Sequence, residues 1–349
     1  MKKFLKVLLI IILALVVLAG GFLAWITVVE YKPEKVEPAE VISTAPETRK
    51  VQFGDDLDIL SWNIGYGGLG AEMDFFMDGG EMVNPESEEV VDKYIENIEK
   101  FTDNENPDFL MLQEVDKNST RTFHYNETMK FTDKNTVFSP NYRAKFVPFP
   151  MPPLGTMDSG LLNSTNLELE KSERVSLPCP FKWPVRTANL KRCLQVTYLP
   201  IKDSDKKLVM VNLHLEAYDQ GDAKIQQSKV LRDFITSEYE KGNYVIAGGD
   251  FNQTFPGTME KYPILDKEFW EPGVLEDSFL PEGWNFTYDM SNPTCRLLNK
   301  PYDEETSQKY VLDGFVASPN VKVNKVETVN LHFENSDHNP VRLNVTLEK

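Results

Sequence analysis

The chain is poor in the side chains that build thiol and imidazole metal centres. Its 349 residues hold three cysteines and four histidines, and no Cys-x-x-Cys or Cys/His cluster occurs. A structural zinc module or a dithiol redox centre is therefore excluded, since their ligands come in closely spaced sets. There is no Gly-x-Ser-x-Gly elbow for a serine hydrolase and no Walker A loop for a nucleotide. Repeats, internal linkers and low-complexity tracts are missing too, which leaves one large domain as the simplest organisation. Basic charge is short: 37 Lys+Arg stand against 54 Asp+Glu. With the 7 basic and 6 acidic residues of positions 1–55 set aside, 30 and 48 remain, a net of −18. A domain so acidic is a poor partner for a polyanion, whose phosphates are held by Lys and Arg. The densest basic stretch, Arg174, Lys182, Arg186, Lys191 and Arg192, is read either as a local patch or as a solvated face.

Charge is absent altogether from Val7 to Val29, a run of 23 residues. At 1.5 Å per residue that run can cross a bilayer. A cleavable signal would have a shorter apolar core followed by an Ala-x-Ala pattern, whereas Leu18-Ala19-Gly20-Gly21 leads into Phe22-Leu23-Ala24-Trp25-Ile26. The run is expected to be an uncleaved, single-pass anchor. Lys2, Lys3 and Lys6 precede it, so residues 1–6 are assigned to the cytoplasm and the rest to the cell exterior. Residues 30–55, with prolines and mixed charge but no apolar period, read as an extracellular linker, and residues 56–349 as the catalytic domain. Six Asn-x-Ser/Thr sequons occur. One of them, at Asn252, falls where a glycan would obstruct the site inferred below, which favours a bacterial surface protein.

Short polar clusters close a series of β-like apolar runs: Ser61-Trp62-Asn63, Gln113-Glu114, Asn212-Leu213-His214 and Gly249-Asp250-Phe251-Asn252. Asp313 sits within Tyr310–Val316, and Ser336-Asp337-His338-Asn339-Pro340 precedes Val341-Arg342-Leu343. Taken singly, each is an ordinary strand end, where Asn, Asp and Gly make turns. Together they suggest one site at a sheet edge, where side chains are held rigidly. Helical spacing predicts one amphipathic helix within Pro85–Asp103, through Val91, Tyr94, Ile95, Ile98 and Phe101, and a second over about 223–241. Phe146–Leu154 is a Pro-rich apolar stretch, read as either a buried connection or an exposed loop.

In this order and over Leu57 to the C-terminus, the six clusters resemble those of the endonuclease/exonuclease/phosphatase superfamily with the deoxyribonuclease I fold. The resemblance implies an α/β (α+β) four-layer sandwich, two facing and mostly antiparallel β-sheets flanked by helices. It also implies hydrolysis of a phosphodiester or phosphomonoester. Glu114 would be the principal metal ligand with Asn63 beside it. Asp250, supported by Asn252, would orient the attacking water, and Asp313 would orient His338. His214 would contact the phosphate or the leaving group.

The residue types agree with this. Asn63, Glu114 and Asp337 are hard oxygen donors suited to Mg²⁺ or Mn²⁺. Gly65 stands where some family members carry a further carboxylate, which leaves open whether one metal ion is held or two. Two of the four histidines lie in the clusters; His124 and His332 do not and are read as surface or structural. Substrates open to the family include DNA, inositol lipids and sphingomyelin-type head groups, with a secreted or surface nuclease as the alternative to a lipid or small phosphoester hydrolase. Thr294-Cys295-Arg296 lacks the Asp of the inositol phosphatases' Cys-Asp-Arg signature, although Arg296 remains a candidate phosphate contact. The competing reading from another class is a binding protein on the same fold, disfavoured because every cluster is intact. No obligate protein partner is indicated.

Overall fold

The computed structural model describes residues 1–217 and 222–349. In the strand Asp56–Asn63, Leu57 and Ile59 face one way and Leu60 and Trp62 the other, and all four are buried. A strand apolar on both faces must lie between two layers. Helix Glu88–Glu105 supplies the outer one, setting Val91, Ile95 and Ile98 against Leu60, Trp62, Leu110 and Leu112. It carries Glu88 and Glu89 in its first turn, where carboxylates suit the helix dipole. Asn106, left-handed at φ 40°, ends it and sends the chain into Phe109–Asp116, parallel to the first strand.

The same unit recurs. Lys207–His214 and Tyr244–Asp250 are parallel neighbours joined through helix Asp222–Glu240, whose Leu231 and Ile235 pack on Val209, Val211, Val245 and Ala247. Both helices fall within three residues of the expected bounds.

Antiparallel strands widen each pair into a seven-stranded sheet. One sheet runs Val36–Pro38, Lys171–Ser176, Cys193–Pro200, Lys207–His214, Tyr244–Asp250, Asp313–Ala317, Asn285–Thr287. The other runs Val321–Thr328, Val341–Leu347, Asp56–Asn63, Phe109–Asp116, Gly155–Thr165, Asn135–Val147, Glu40–Ser43. Ile59, Met111, Met210, Ile246, Phe315 and Leu343 fill the space between them. The four layers expected from the sequence are the layers observed.

Lys2–Val28 is a single helix, long and apolar enough to cross a membrane, with most of its side chains exposed. The linker expected over 30–55 is bound to the domain instead. Val36–Pro38 pairs with Lys171–Ser176 at the edge of one sheet, and Glu40–Ser43 pairs with Asn135–Val147 at the edge of the other. Val51 enters the core. Prolines and mixed charge are compatible with edge strands, whose outer side needs no partner, and that is why composition alone read as a tether.

Candidate active site

The face that fills the space between the sheets turns polar at one end of the sandwich. Along each strand's inward face Ile59 gives way to Ser61 and Asn63, Met111 to Gln113, Met210 to Asn212 and His214, and Ile246 to Gly248 and Asp250. Register gathers the ends: Asn63 is opposite Gln113, and Asp250 lies between His214 and Asp313. Beneath them Gln113 Nε2 donates to Asn212 Oδ1 at 2.8 Å, and Asn212 Nδ2 to Asn163 Oδ1 at 2.9 Å. These buried amides tie the sheets together under the site, where an unpaired amide would be costly. Gly248 is obligatory, because a Cβ there would lie 2.2 Å from the Phe315 ring.

Asn63 is the hub. Its Nδ2 donates to Glu114 Oε1 at 3.2 Å and to Asp250 Oδ2 at 3.1 Å, and its Oδ1 accepts from the Gly65 N–H at 3.1 Å. Glu114 reaches it from a β-bulge: the pairing with Gly155–Thr165 slips between Leu112 and Val115, and Glu114 takes φ 56°. Bulges re-aim side chains at strand ends, and here the strained residue is the carboxylate left partly open to solvent. Asp250 Oδ1 accepts from the Asn252 N–H at 2.8 Å, while Asn252 Nδ2 donates to Leu215 O at 2.8 Å.

The two histidines are driven in opposite directions. His338 Nδ1 is 2.8 Å from Asp313 Oδ2, and His338 Nε2 faces Asp250 Oδ2 at 3.8 Å and Asp337 Oδ2 at 3.9 Å. Burial opposes its protonation, but Asp313, Cys295, Asp337 and Asp250 outweigh that and hold its pKa well above the usual range. Trp62 Nε1 donates to His338 O at 2.8 Å, and Ser336 Oγ accepts from the His338 N–H at 3.1 Å, so the ring's backbone is pinned. His214 Nε2 lies 3.4 Å from Asp250 Oδ2, yet burial, Arg192 and His338 keep it well below the usual range, as neutral imidazole. Burial pushes Asp250 up to about 7, with His338 opposing and Asp313 adding to the rise. Asp337 is likewise pushed up to about 7 by burial, against His338 and with Glu114.

Carboxylates gathered in this way, with only the Asn63 amide and the imidazoles between them, form a set that a divalent cation would neutralise. Glu114 and Asp337 offer carboxylate oxygens to such an ion, whereas Asn63 turns its Nδ2 to Glu114 and Asp250 and its Oδ1 to the Gly65 N–H. Gly65 keeps the space clear, because a Cβ there would lie 2.8 Å from Asp337 Oδ1. Asp250, Asp313 and His338 also bring donor atoms within 4.8 Å of one another. His338 Nδ1 and Asp313 are engaged with each other, so we read this trio as a His–Asp pair beside Asp250.

Arg296 lines the same cavity, but its guanidinium faces the main chain: Nη2 donates to Gly70 O at 2.7 Å and Met73 O at 3.0 Å, and Nη1 to Lys300 O at 3.2 Å. It clamps the 69–73 loop, and its terminal nitrogens are committed before any phosphate arrives. His124 and His332 are exposed, as expected. Sequence reasoning missed Thr294, whose Oγ1 accepts from the Leu312 and Asp313 N–H groups at 2.9 and 3.1 Å. It also missed Arg192, which donates to His214 O at 3.1 Å and Glu216 Oε2 at 3.3 Å. The first had no sequence signal; the second lay unassigned in the basic stretch.

Two helix-covered sheets with carboxylates, amides and a pair of histidines at one end define a hydrolase of the phosphoesterase and nuclease type. The chain belongs to the endonuclease/exonuclease/phosphatase family, whose sequence model matches residues 60–338. Its fold is similar to that of the endonuclease/exonuclease/phosphatase from Beutenbergia cavernae, with TM-score 0.56 and 15% identity over 84% of this chain and 72% of that one. The family protein from Bacteroides thetaiotaomicron gives TM-score 0.54 and 14% identity, covering 85% and 99%. The one from Bacteroides vulgatus gives 0.53 and 16%, covering 84% and 100%. At such identities the likeness concerns the fold. No curated protein sequence matches significantly.

Proposed function

We propose that the chain is a divalent-metal-dependent phosphoesterase, held in the cell membrane by its N-terminal helix with the domain outside, that cleaves a P–O bond by in-line attack of water. The observation that carries this reading is geometric: His338 Nδ1 is held 2.8 Å from Asp313 Oδ2 while its Nε2 faces Asp250 Oδ2 at 3.8 Å, so an imidazole and a carboxylate converge on one point of the cavity floor. Asp250, fixed by the Asn252 N–H, accepts a proton from the water as its oxygen bonds to phosphorus. The His338 imidazolium, steadied by Asp313, meets the negative charge that grows on the phosphoryl oxygens. Neutral His214 offers a hydrogen bond to the phosphate, and the departing oxygen takes its proton from solvent. Glu114 and Asp337, with the Asn63 amide oxygen, would hold a Mg²⁺ or Mn²⁺ ion, which would supply neutralisation of the phosphate's charge.

The test is hydrolysis of bis(p-nitrophenyl) phosphate and p-nitrophenyl phosphate by the full chain in detergent, with Mg²⁺ or Mn²⁺ and with EDTA. Metal-dependent turnover that disappears in His338→Ala is expected. Turnover indifferent to EDTA and to that substitution overturns the reading.

A further inference from the structure

The cavity above the catalytic groups has a volume of about 600 Å³ and two unlike halves. Glu114, His214, Asp250, Asn252, Asp337 and His338 make a polar floor. The upper wall is apolar and is assembled from distant parts of the chain: Phe22, Leu23 and Ile26 of the N-terminal helix, Phe76 and Met77, and Phe149 from the Pro-rich stretch.

That wall is fixed in place. Glu30, just past the helix, is buried to 2% exposure of its side chain and meets Arg186 Nε at 3.2 Å and Lys191 Nζ at 3.6 Å. Trp183 Nε1 donates to Thr27 Oγ1 at 3.0 Å. The Phe22 ring stands edge-on to Phe146 at 6.2 Å, and Phe76 edge-on to Phe149 at 6.0 Å. Two residues of the basic stretch, Arg186 and Lys191, therefore serve to seat the helix on the domain. Beside the seam Phe149, Met151, Trp183 and Val185 are 68, 83, 53 and 58% exposed. Single exposed apolar residues mean little, but a patch continuous with an uncovered apolar helix marks a surface for an apolar medium.

Charge points the same way. Among the described lining residues the lysine- and arginine-type cations are Arg121, Arg192 and Arg296. Arg121 is bound by Asp116 at 2.9 Å, Arg192 by Glu216 and His214 O, and Arg296 by backbone carbonyls. The cavity thus offers one phosphate position on its floor and an apolar wall, with no row of free cations for successive phosphates. The level of the wall also fits. A hydrocarbon core of about 30 Å takes about 20 residues; counted from Lys6 it ends near Ile26, which puts Phe22, Leu23 and Ile26 at the outer boundary of the leaflet.

We propose that the substrate is a phosphate ester carrying long acyl or alkyl chains, a membrane phospholipid or sphingolipid, drawn from the leaflet in which the helix ends. Phe22, Leu23 and Phe149 select it by lying along its chains while the phosphate sits on the floor. Water adds to phosphorus and one P–O ester bond breaks, leaving an alcohol and a phosphate with one ester bond fewer. The inference rests on the phosphoesterase reading above.

The experiment uses the full chain in vesicles of equal parts phosphatidylcholine, phosphatidylglycerol and sphingomyelin, with Mg²⁺ or Mn²⁺. Three further substrates run in parallel: deacylated glycerophosphocholine and glycerophosphoglycerol, bis(p-nitrophenyl) phosphate, and plasmid DNA. The lipid is expected to be cleaved with kcat/KM at least tenfold above its deacylated counterpart. In Phe149→Asp, an exposed position where folding is not at stake, and in Phe22→Ser/Leu23→Ser, the ratio of lipid to bis(p-nitrophenyl) phosphate turnover is expected to fall by tenfold or more. Equal use of lipid and deacylated ester, an unchanged ratio in both variants, or DNA nicking with inert vesicles overturns the inference while leaving a phosphoesterase. A chain inert on all of these substrates overturns both readings.

Discussion

His338 Nδ1 and Asp313 Oδ2 are 2.8 Å apart, and the bond joins the two sheets: Asp313 opens a strand of one, and His338 stands three residues before a strand of the other. The charged pair is thus made only when the sandwich is closed. Asp313→Asn is expected to lower kcat by about 10²-fold, and His338→Ala by about 10²- to 10⁴-fold. Steady-state kinetics on bis(p-nitrophenyl) phosphate checks both; wild-type kcat in either would remove His338 from the mechanism.

The pH dependence follows from the same bond. His338 has a folded pKa raised above its unfolded value near 6.5. Its contribution to stability is complete below that value and is lost as pH rises through the raised one. The alkaline limb of the kcat/KM profile is therefore expected to report His338 and to move to lower pH in Asp313→Asn. An alkaline limb unmoved by that substitution would assign it to another group.

Glu114→Ala is expected to raise the Mn²⁺ concentration for half-maximal activity by at least tenfold, since it removes the most open of the oxygen donors. Thermal unfolding should agree, with added Mn²⁺ raising the wild-type Tm and shifting the variant less. Equal shifts would place the cation elsewhere.

Gly65→Glu tests whether this position can be turned into a ligand. It takes φ 52°, and its Cβ would meet Asp337 Oδ1 at 2.8 Å. The substitution is expected to cost about 1–3 kcal/mol in backbone strain and crowding, and to reduce turnover, as thermal unfolding and kinetics would show. Higher metal affinity in this variant would contradict the geometry.

Topology can be read from thiols. Cys179 is exposed, whereas Cys193 and Cys295 are buried, with burial pushing the Cys295 thiol up to about 12. A membrane-impermeant maleimide is expected to label intact cells through Cys179 and to fail in Cys179→Ser. Labelling that needs lysis would put the domain in the cytoplasm.

Much of the fold was legible because its signals are local. Short apolar runs such as Leu57–Leu60 and the face of Val91, Ile95 and Ile98 announce their layers, and a polar residue ending an apolar strand face announces the site. What was not legible depends on partners. The turn of Glu114 needs the slipped register of Gly155–Thr165, and the fate of Arg296 needs the carbonyls of the 69–73 loop. Residues 36–43 read as loose because edge strands bond on one side only. Phe22 and Leu23 were hidden by redundancy: a bilayer and an apolar cavity wall ask for the same side chains.

The seam between helix and domain has a kinetic consequence. Within eight residues Val36–Pro38 and Glu40–Ser43 fasten to opposite sheets, and Glu30 is locked by Arg186 and Lys191. With the helix in a bilayer, the cavity mouth has one fixed height and bearing and no slack with which to search the solution. For an ester carried in that same bilayer, as proposed above, encounter would then be a two-dimensional process, set by lateral diffusion. Its velocity would follow the mole fraction of the ester in the surface, so dilution with inert lipid is expected to slow the reaction while dilution of the vesicles themselves is not.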